Sequence, residues 1–291
     1  MVLVTGAGGN VGGELVKKLI AAAAPFRAGY YSNAKVEEAK RTGVDAVAID
    51  FAKAETLRVA LRGVEKVFLI SGVGSNQGEL ELNATREARK AGGRHIVKSS
   101  VWGAESEAFS FAKVHRHVER EIETSGMAYT FLHPNGYMQN MSNFYAETIK
   151  TPGAFYLPAG NARISHTDVR DVASVAARVL TEGDHEGKAY DLTGPEALTY
   201  EEIAEKLSAV VGRKVSYVNV SDADFKKGMV SSGAPEAAAD ATLALFHYYV
   251  SGQASQISPA VREITGKDPI SFDRYARDHA AAFQRDAKAA G

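Results

Sequence analysis

Along the first half of the chain, apolar residues fall into short runs that alternate with amphipathic stretches, with a turn signal at most junctions. The first run, Val2-Leu3-Val4, ends in the turn Gly6-Ala7-Gly8-Gly9-Asn10-Val11-Gly12, and Leu15, Leu19 and Ile20 then recur at helical spacing. Pro25 precedes a second strand over 26–31, and Ser32-Asn33 is a turn and cap signal before a helix over 35–41. Strands are predicted at 44–49, 64–70, 95–100 and 129–133, with helices at 55–62, 80–91 and 111–125 between them. Gly92-Gly93, Gly126 and Pro134 punctuate these elements. Such alternation implies parallel pairing in a doubly wound sheet.

Beyond residue 143 the alternation lapses. A short strand is expected at 153–157. A helix follows His166-Thr167-Asp168-Val169-Arg170-Asp171, with Asp171 near its positive end. The run 188–192 reads as a strand returning to the main sheet, Thr199 and Glu202 have the spacing of a capping box, and 215–220 is a further strand. Helices are expected at 237–250 and 273–287, with fraying after Phe283. The predicted fold class is α/β. It combines a Rossmann-type doubly wound parallel sheet over 1–152 with a smaller, mainly helical C-terminal lobe over 153–291.

Strand, tight turn and helix together make a dinucleotide site, because unpaired N–H groups at a helix start attract a pyrophosphate and glycines admit it. Gly6 suits the turn, Gly9 the close approach and Gly12 the packing of helix on strand, with Asn10 and Val11 at the helix start. The end of the second strand distinguishes the cofactors, since an acidic residue binds ribose hydroxyls and a basic one a 2′-phosphate. Tyr30, Tyr31, Ser32, Asn33 and Lys35 stand there without an acid. NADP(H) is therefore expected over NAD(H), with Ser32, Asn33 and Lys35 on the phosphate and Tyr31 against adenine. The competing reading makes Lys35 a solvated lysine at a helix start. Ser71 and Gly72, at the end of the fourth strand, should border the cofactor.

With 291 residues, 45% of them hydrophobic, the chain can bury a full core. A net charge of −1 without basic runs removes the footprint of a nucleic-acid binder. There are no cysteines for disulfides or thiolate metal sites. The eight histidines are scattered without a ligand motif, so no metal is expected. No leader and no membrane-length apolar run is legible, and a cytoplasmic location is the expectation. Oligomeric state stays open.

Four stretches carry a resemblance: Val4 to Gly12, Phe68 to Gly72, Ala128 to Asn140 and Ser165 to Ala173, with Ala197 to Ile203 as a fifth. Through them the chain resembles the NmrA-like branch of the atypical short-chain dehydrogenases/reductases, and within it the triphenylmethane reductase and type-2 quinone oxidoreductase group. The resemblance implies an NAD(P)H-dependent reductase. It also makes Asp50-Phe51 an adenine-edge pair, a plain strand cap being the alternative. Many relatives carry Arg at the Tyr31 position, so the chain departs from the usual NADP pattern there.

Typical members of the wider superfamily place a Ser after the fifth strand and a Tyr-x-x-x-Lys on the next helix, the tyrosine exchanging a proton. Here Ser99 and Ser100 stand in that place, but Phe109-Ser110-Phe111-Ala112-Lys113 has phenylalanine where the acid belongs. Hydride transfer to a charge-delocalising acceptor, such as a quinone, a cationic dye or an azo compound, needs no acid at the moment of transfer. The catalytic candidates are therefore Lys113, Ser100 and Tyr137. Lys113 orients ribose or substrate, or is a surface lysine, and Tyr137 stacks a flat acceptor, or packs in the core. Lys113 and Ser99 join the cofactor set with Pro134 and Asn135. His115 and Glu119 share a helix face at i, i+4 spacing, which suits either a pair with each other or His115 beside nicotinamide. The expected partner is a small aromatic acceptor. A non-catalytic dinucleotide-binding redox sensor is the alternative that the missing tyrosine suggests.

Overall fold

The computed structural model describes residues 1–284. The first half alternates strand and helix: β1 (Val2–Val4), α1 (Asn10–Ala21), β2 (Phe26–Tyr30), α2 (Asn33–Arg41), β3 (Ala46–Ala48), α3 (Ala54–Ala60), β4 (Lys66–Leu69), α4 (Gln77–Lys90), β5 (His95–Ser99), α5 (Ser110–Glu123) and β6 (Ala128–Pro134). Then follow α6 (Gln139–Phe144), α7 (Ala146–Lys150), β7 (Ala154–Leu157), α8 (Val169–Thr181), β8 (Lys188–Leu192), α9 (Tyr200–Val211), β9 (Ser216–Asn219), α10 (Asp222–Ser231) and α11 (Glu236–Val250). Three short helices come last, α12 (Ala260–Thr265), α13 (Phe272–Asp278) and α14 (Ala280–Phe283). The final part of the helix expected at 273–287, with its fraying end, lies outside the described residues.

Seven strands form one parallel sheet in the order β3-β2-β1-β4-β5-β6-β8. The order reverses between β1 and β4, and a crevice opens at the carboxyl ends of the strands there. This is the α/β Rossmann-type sheet expected, and β8 pairs with β6 from Thr130↔Lys188 to Pro134↔Leu192. Strands buried on both faces read as continuous apolar runs, which is why they were legible.

One face of the sheet packs Val4, Phe68, Val97 and Leu132 against Leu15 and Leu19 of α1 and Val172, Val175 and Val179 of α8. The other packs Leu3, Val67, Ile96 and Phe131 against Leu57, Leu82, Val118 and Ile122 from α3, α4 and α5. Each fully buried leucine contributes about 1.5–3 kcal/mol. A third core gathers Phe155 of β7, Tyr200, Ile203 and Leu207 of α9, Phe246 of α11, and Phe272, Tyr275 and Phe283. The parallel pair β7–β9 borders it. Where the alternation lapsed, the chain makes the short helices α6 and α7; their few apolar positions, Met141 and Ile149 among them, give no periodic signal. Thr199 and Glu202 form the expected capping box at α9. Among the described residues no helix is long and apolar enough to cross a membrane.

A Cβ added at Gly12 would stand 2.2 Å from the carbonyl oxygen of Gly6 and 2.7 Å from its carbonyl carbon. Those are backbone atoms, so α1 or the turn must move. Gly12→Ala is expected to cost about 1–3 kcal/mol in urea unfolding, in the range of overpacked cores. An unchanged midpoint would show that α1 does not lie this close to the turn.

Candidate active site

The glycine turn joins the two strands that flank the reversal. The Thr5 hydroxyl accepts from the Ile70 amide at 2.9 Å and lies 2.8 Å from the Ile70 carbonyl, stapling the end of β1 to the end of β4. Gly6 follows at φ +58°, a conformation that favours glycine, and an added Cβ would meet Ile70 Cγ2 at 2.8 Å. The Gly9 amide donates to the Gly6 carbonyl and the Gly13 amide to the Gly9 carbonyl, both at 2.9 Å. Helix geometry therefore leaves the N–H groups of Asn10, Val11 and Gly12 without an intrahelical partner. Three amides at a positive helix end, with glycine on either side, fit the pyrophosphate of a dinucleotide. A groove of about 280 Å³ adjoins them, lined by Gly9, Asn10 and Gly13 of the α1 start and by Gln139, Val169 and Arg170.

At the tip of β2, Lys35 Nζ folds back and donates to the Gly8 carbonyl at 3.2 Å, so its ammonium overhangs the turn. Tyr31 is 83% exposed, and Ser32 caps α2 through its backbone with no side-chain bond. Asp50 is occupied locally: its carboxylate accepts from the Ala52 amide at 3.0 Å and faces Lys53 at 3.4 Å. The Phe51 carbonyl accepts from Asn83 at 3.3 Å.

Below the ends of β4 and β5 lies a chain of polar groups. The Ser71 hydroxyl donates to Glu81 Oε1 at 2.8 Å, Gln77 donates to the same oxygen at 3.2 Å, and Glu81 forms an ion pair with Lys98 of β5. Lys98 is 0% and Glu81 1% exposed. Lys98 Nζ also stands 3.1 Å from His115 Nδ1, whose ring faces Gln77. Burial, with the Lys98 ammonium beside it, pushes the His115 imidazolium well below its usual range, so the ring is neutral at pH 7.

A second network joins α5 to β6. Ser100 donates to Glu119 Oε1 at 2.5 Å, His133 Nε2 reaches the same oxygen at 2.8 Å, and Arg116 meets Oε2 at 3.1 Å. His133 Nδ1 lies 3.4 Å from Asp191. Burial alone would lower His133, but the hydrogen bonds and charges of Asp191 and Glu119 lift it to about 9. Burial would raise Glu119, yet its partners, His133 foremost, hold it below the usual carboxylate range. The spacing-based pair of His115 with Glu119 is thus replaced by separate partners, Lys98 and His133.

Ser99 is buried and hydrogen-bonded to the Tyr137 hydroxyl, which burial pushes up to about 12. Lys113 is exposed on α5, and Pro134 is buried. Asn135 is committed to holding the third core: it donates to Ser165 Oγ and the Ala254 carbonyl, both at 2.9 Å, while its Oδ1 accepts from the Gly136 amide at 2.8 Å. Gly72 stands exposed at the head of the loop to α4.

The NmrA-like family model matches residues 1–267. The chain belongs to the NmrA-like family. It is 37% identical to an NAD(P)H azoreductase of Xenophilus azovorans, over 97% of this chain and 99% of that one. Its fold superposes on an NADPH-dependent quinone oxidoreductase of Escherichia coli complexed with NADPH, with TM-score 0.88, 28% identity and coverage of 97% and 100%. It superposes also on a Citrobacter sp. triphenylmethane reductase complexed with NADP(H), with TM-score 0.84, 31% identity and coverage of 96% and 99%.

In this NmrA-like chain, sequence reasoning singled out Ser71, Ser99, Ser100, His115 and Tyr137, and missed Glu81, Gln77 and Lys98. A charged residue inside a strand buried on both faces was the available signal, since lysine is almost never fully buried without a partner. The raised His133 has a consequence for stability. The fold favours its protonated form, so that contribution is complete below pH 6.5 and vanishes as pH rises through about 9. Thermal unfolding followed from pH 6.5 to 10 should lose about 2–3 kcal/mol, and His133→Leu should flatten that slope. A slope of equal size in the variant would assign it elsewhere.

Proposed function

We propose that this protein is an NAD(P)H-dependent reductase that passes hydride to a flat, electron-poor aromatic acceptor of the quinone, azo or triarylmethane type. The observation that carries this reading is the join of a pyrophosphate-ready turn to a helix with no tyrosine acid. Phe109 is buried ahead of α5, Phe111 stands within it, and the hydroxyl of Tyr137 is held protonated by burial and bonded to Ser99. Carbonyl reduction by a tyrosine acid on α5 has no such residue there, whereas delocalising acceptors need no acid at the transfer step. The reductases named above, of azo compounds, quinones and triphenylmethane dyes, agree with that chemistry.

In this reading Gly6, Gly9, Asn10, Val11 and Gly12 hold the diphosphate, and Asp50 and Phe51 edge the adenine. Ser71, Gly72, Ser99 and Pro134 border the nicotinamide half, and Tyr137 backs the acceptor. When bound, the nicotinamide supplies the hydride. The chain's own groups bind and orient, and no use is made of the exposed Lys113. NADP(H) is the preferred cofactor, because Lys35 places an ammonium over the turn and no acid at the β2 tip repels a 2′-phosphate.

Oxidation of NADPH followed with menadione and with a triarylmethane dye should show acceptor-dependent turnover. Tight dinucleotide binding without turnover across a broad acceptor panel would instead favour a redox sensor. Lys35→Ala should raise the NADPH dissociation constant about 10- to 100-fold, the worth of a charge-assisted hydrogen bond, and leave NADH binding near its starting value. Equal losses for both cofactors would remove Lys35 from the phosphate site.

A further inference from the structure

The polar chain below β4 and β5 goes beyond what a cofactor cradle requires. A fully buried ion pair is a poor way to stabilise a fold, because desolvation offsets the attraction and an apolar pair of like volume does as well or better. Glu81 and Lys98 nevertheless sit at 1% and 0% exposure, paired with each other, and Lys98 also reaches the Ser99 carbonyl at 3.4 Å. Through Glu81 the pair holds the Ser71 hydroxyl, and through Lys98 it holds His115. Gln77, Glu81 and Lys98 are buried, whereas Ser71 and His115 are half-buried and form the outer ends of the chain. Both ends lie at the carboxyl side of the sheet: Ser71 directly after β4, and His115 in the second turn of α5.

An ammonium has only donors, so at 3.1 Å it must donate to His115 Nδ1. The remaining ring proton is then on Nε2, which faces the Gln77 amide nitrogen at 3.5 Å; that nitrogen is itself a donor, turned to Glu81, so it offers the Nε2–H no acceptor. Burial and the neighbouring charge keep the ring from gaining a second proton.

We propose that the Glu81–Lys98 pair is a positioning device that locks His115 as the neutral Nε2–H tautomer, and that this N–H donates to the acceptor atom on which negative charge collects. The inference rests on the reductase reading and adds a selectivity to it. A quinone or azo group that gains a hydride carries negative charge on an oxygen or nitrogen until water supplies a proton, and a fixed donor lowers the barrier to that state. A triarylmethane cation that gains a hydride becomes neutral and offers no such atom. His115 is thus a catalytic residue for the first class alone, and Lys98 and Glu81 act only through it.

The test compares menadione with a cationic triarylmethane dye in the wild type, His115→Phe and His115→Gln. The ratio of quinone to dye turnover should fall about 100-fold in His115→Phe, the usual loss for one charge-stabilising donor. His115→Gln, which retains an N–H, should recover part of it. A parallel loss on both acceptors would mark His115 as structural, and an unchanged ratio would overturn the proposal. Nitrogen NMR of the isotope-labelled, cofactor-free protein gives a second readout: Nε2 protonated and Nδ1 bare at pH 7. A proton on Nδ1 would refute the lock whatever the kinetics. A wild type that reduces neither acceptor would instead overturn the reductase reading, while the NMR result would still decide the tautomer. In Glu81→Gln/Lys98→Met, a double change that leaves no unpaired buried charge, the two His115 tautomers should mix; retention of a single Nε2–H form would contradict the positioning role.

Discussion

The structure turns on how closely α1 approaches the end of β1. Gly12 lies against the Gly6 carbonyl with no room for a Cβ, and the Thr5 hydroxyl ties the same turn to Ile70 across the point where the strand order reverses. That closeness ends β1 and starts α1 within a few residues, and it leaves three amides aimed outward at the positive end of a helix dipole. The crevice between β1 and β4 is thereby both a packing solution and a ready anion site. Loosening the contact would cost stability and binding together.

Around that crevice the chain buries charge where an ordinary core would bury carbon. Two separate networks hang from α5. Glu119, His133, Ser100 and Arg116 join the helix to β6, with His133 held charged by its carboxylate neighbours. Lys98, Glu81, Gln77 and His115 join it to β5 and α4, with His115 held neutral by an ammonium. Two histidines on one sheet edge are driven in opposite directions by what stands beside them. Only the second network ends on a half-buried imidazole and the half-buried Ser71 hydroxyl, whereas the first fastens α5 to β6.

Much of this was legible in the residues. Parallel strands buried on both faces announce themselves as Val- and Ile-rich runs, and the glycine turn announces its helix, so the sheet and the diphosphate site could be read in advance. The short helices after Gln139 could not, because their burial comes from β7, α14 and Tyr275 of α13 rather than from a local period. The candidate site divides the same way. Ser100 was noted for its position, but only the fold shows that its hydroxyl and the His133 ring meet on Glu119. Lys113 was drawn in by its spacing to Phe109, yet the helix turns it to solvent and brings His115 inward. Lys98 hid in a strand that reads as core, where its charge was the anomaly.

The central claim is that the Asn10, Val11 and Gly12 amides grip a nicotinamide dinucleotide. Amide hydrogen exchange resolved at these three residues, with and without saturating NADPH, tests it most directly. The account predicts strong protection of all three on binding, centred on the start of α1. NADPH that binds with these amides exchanging at their free rates, or that protects a different part of the chain, would contradict it.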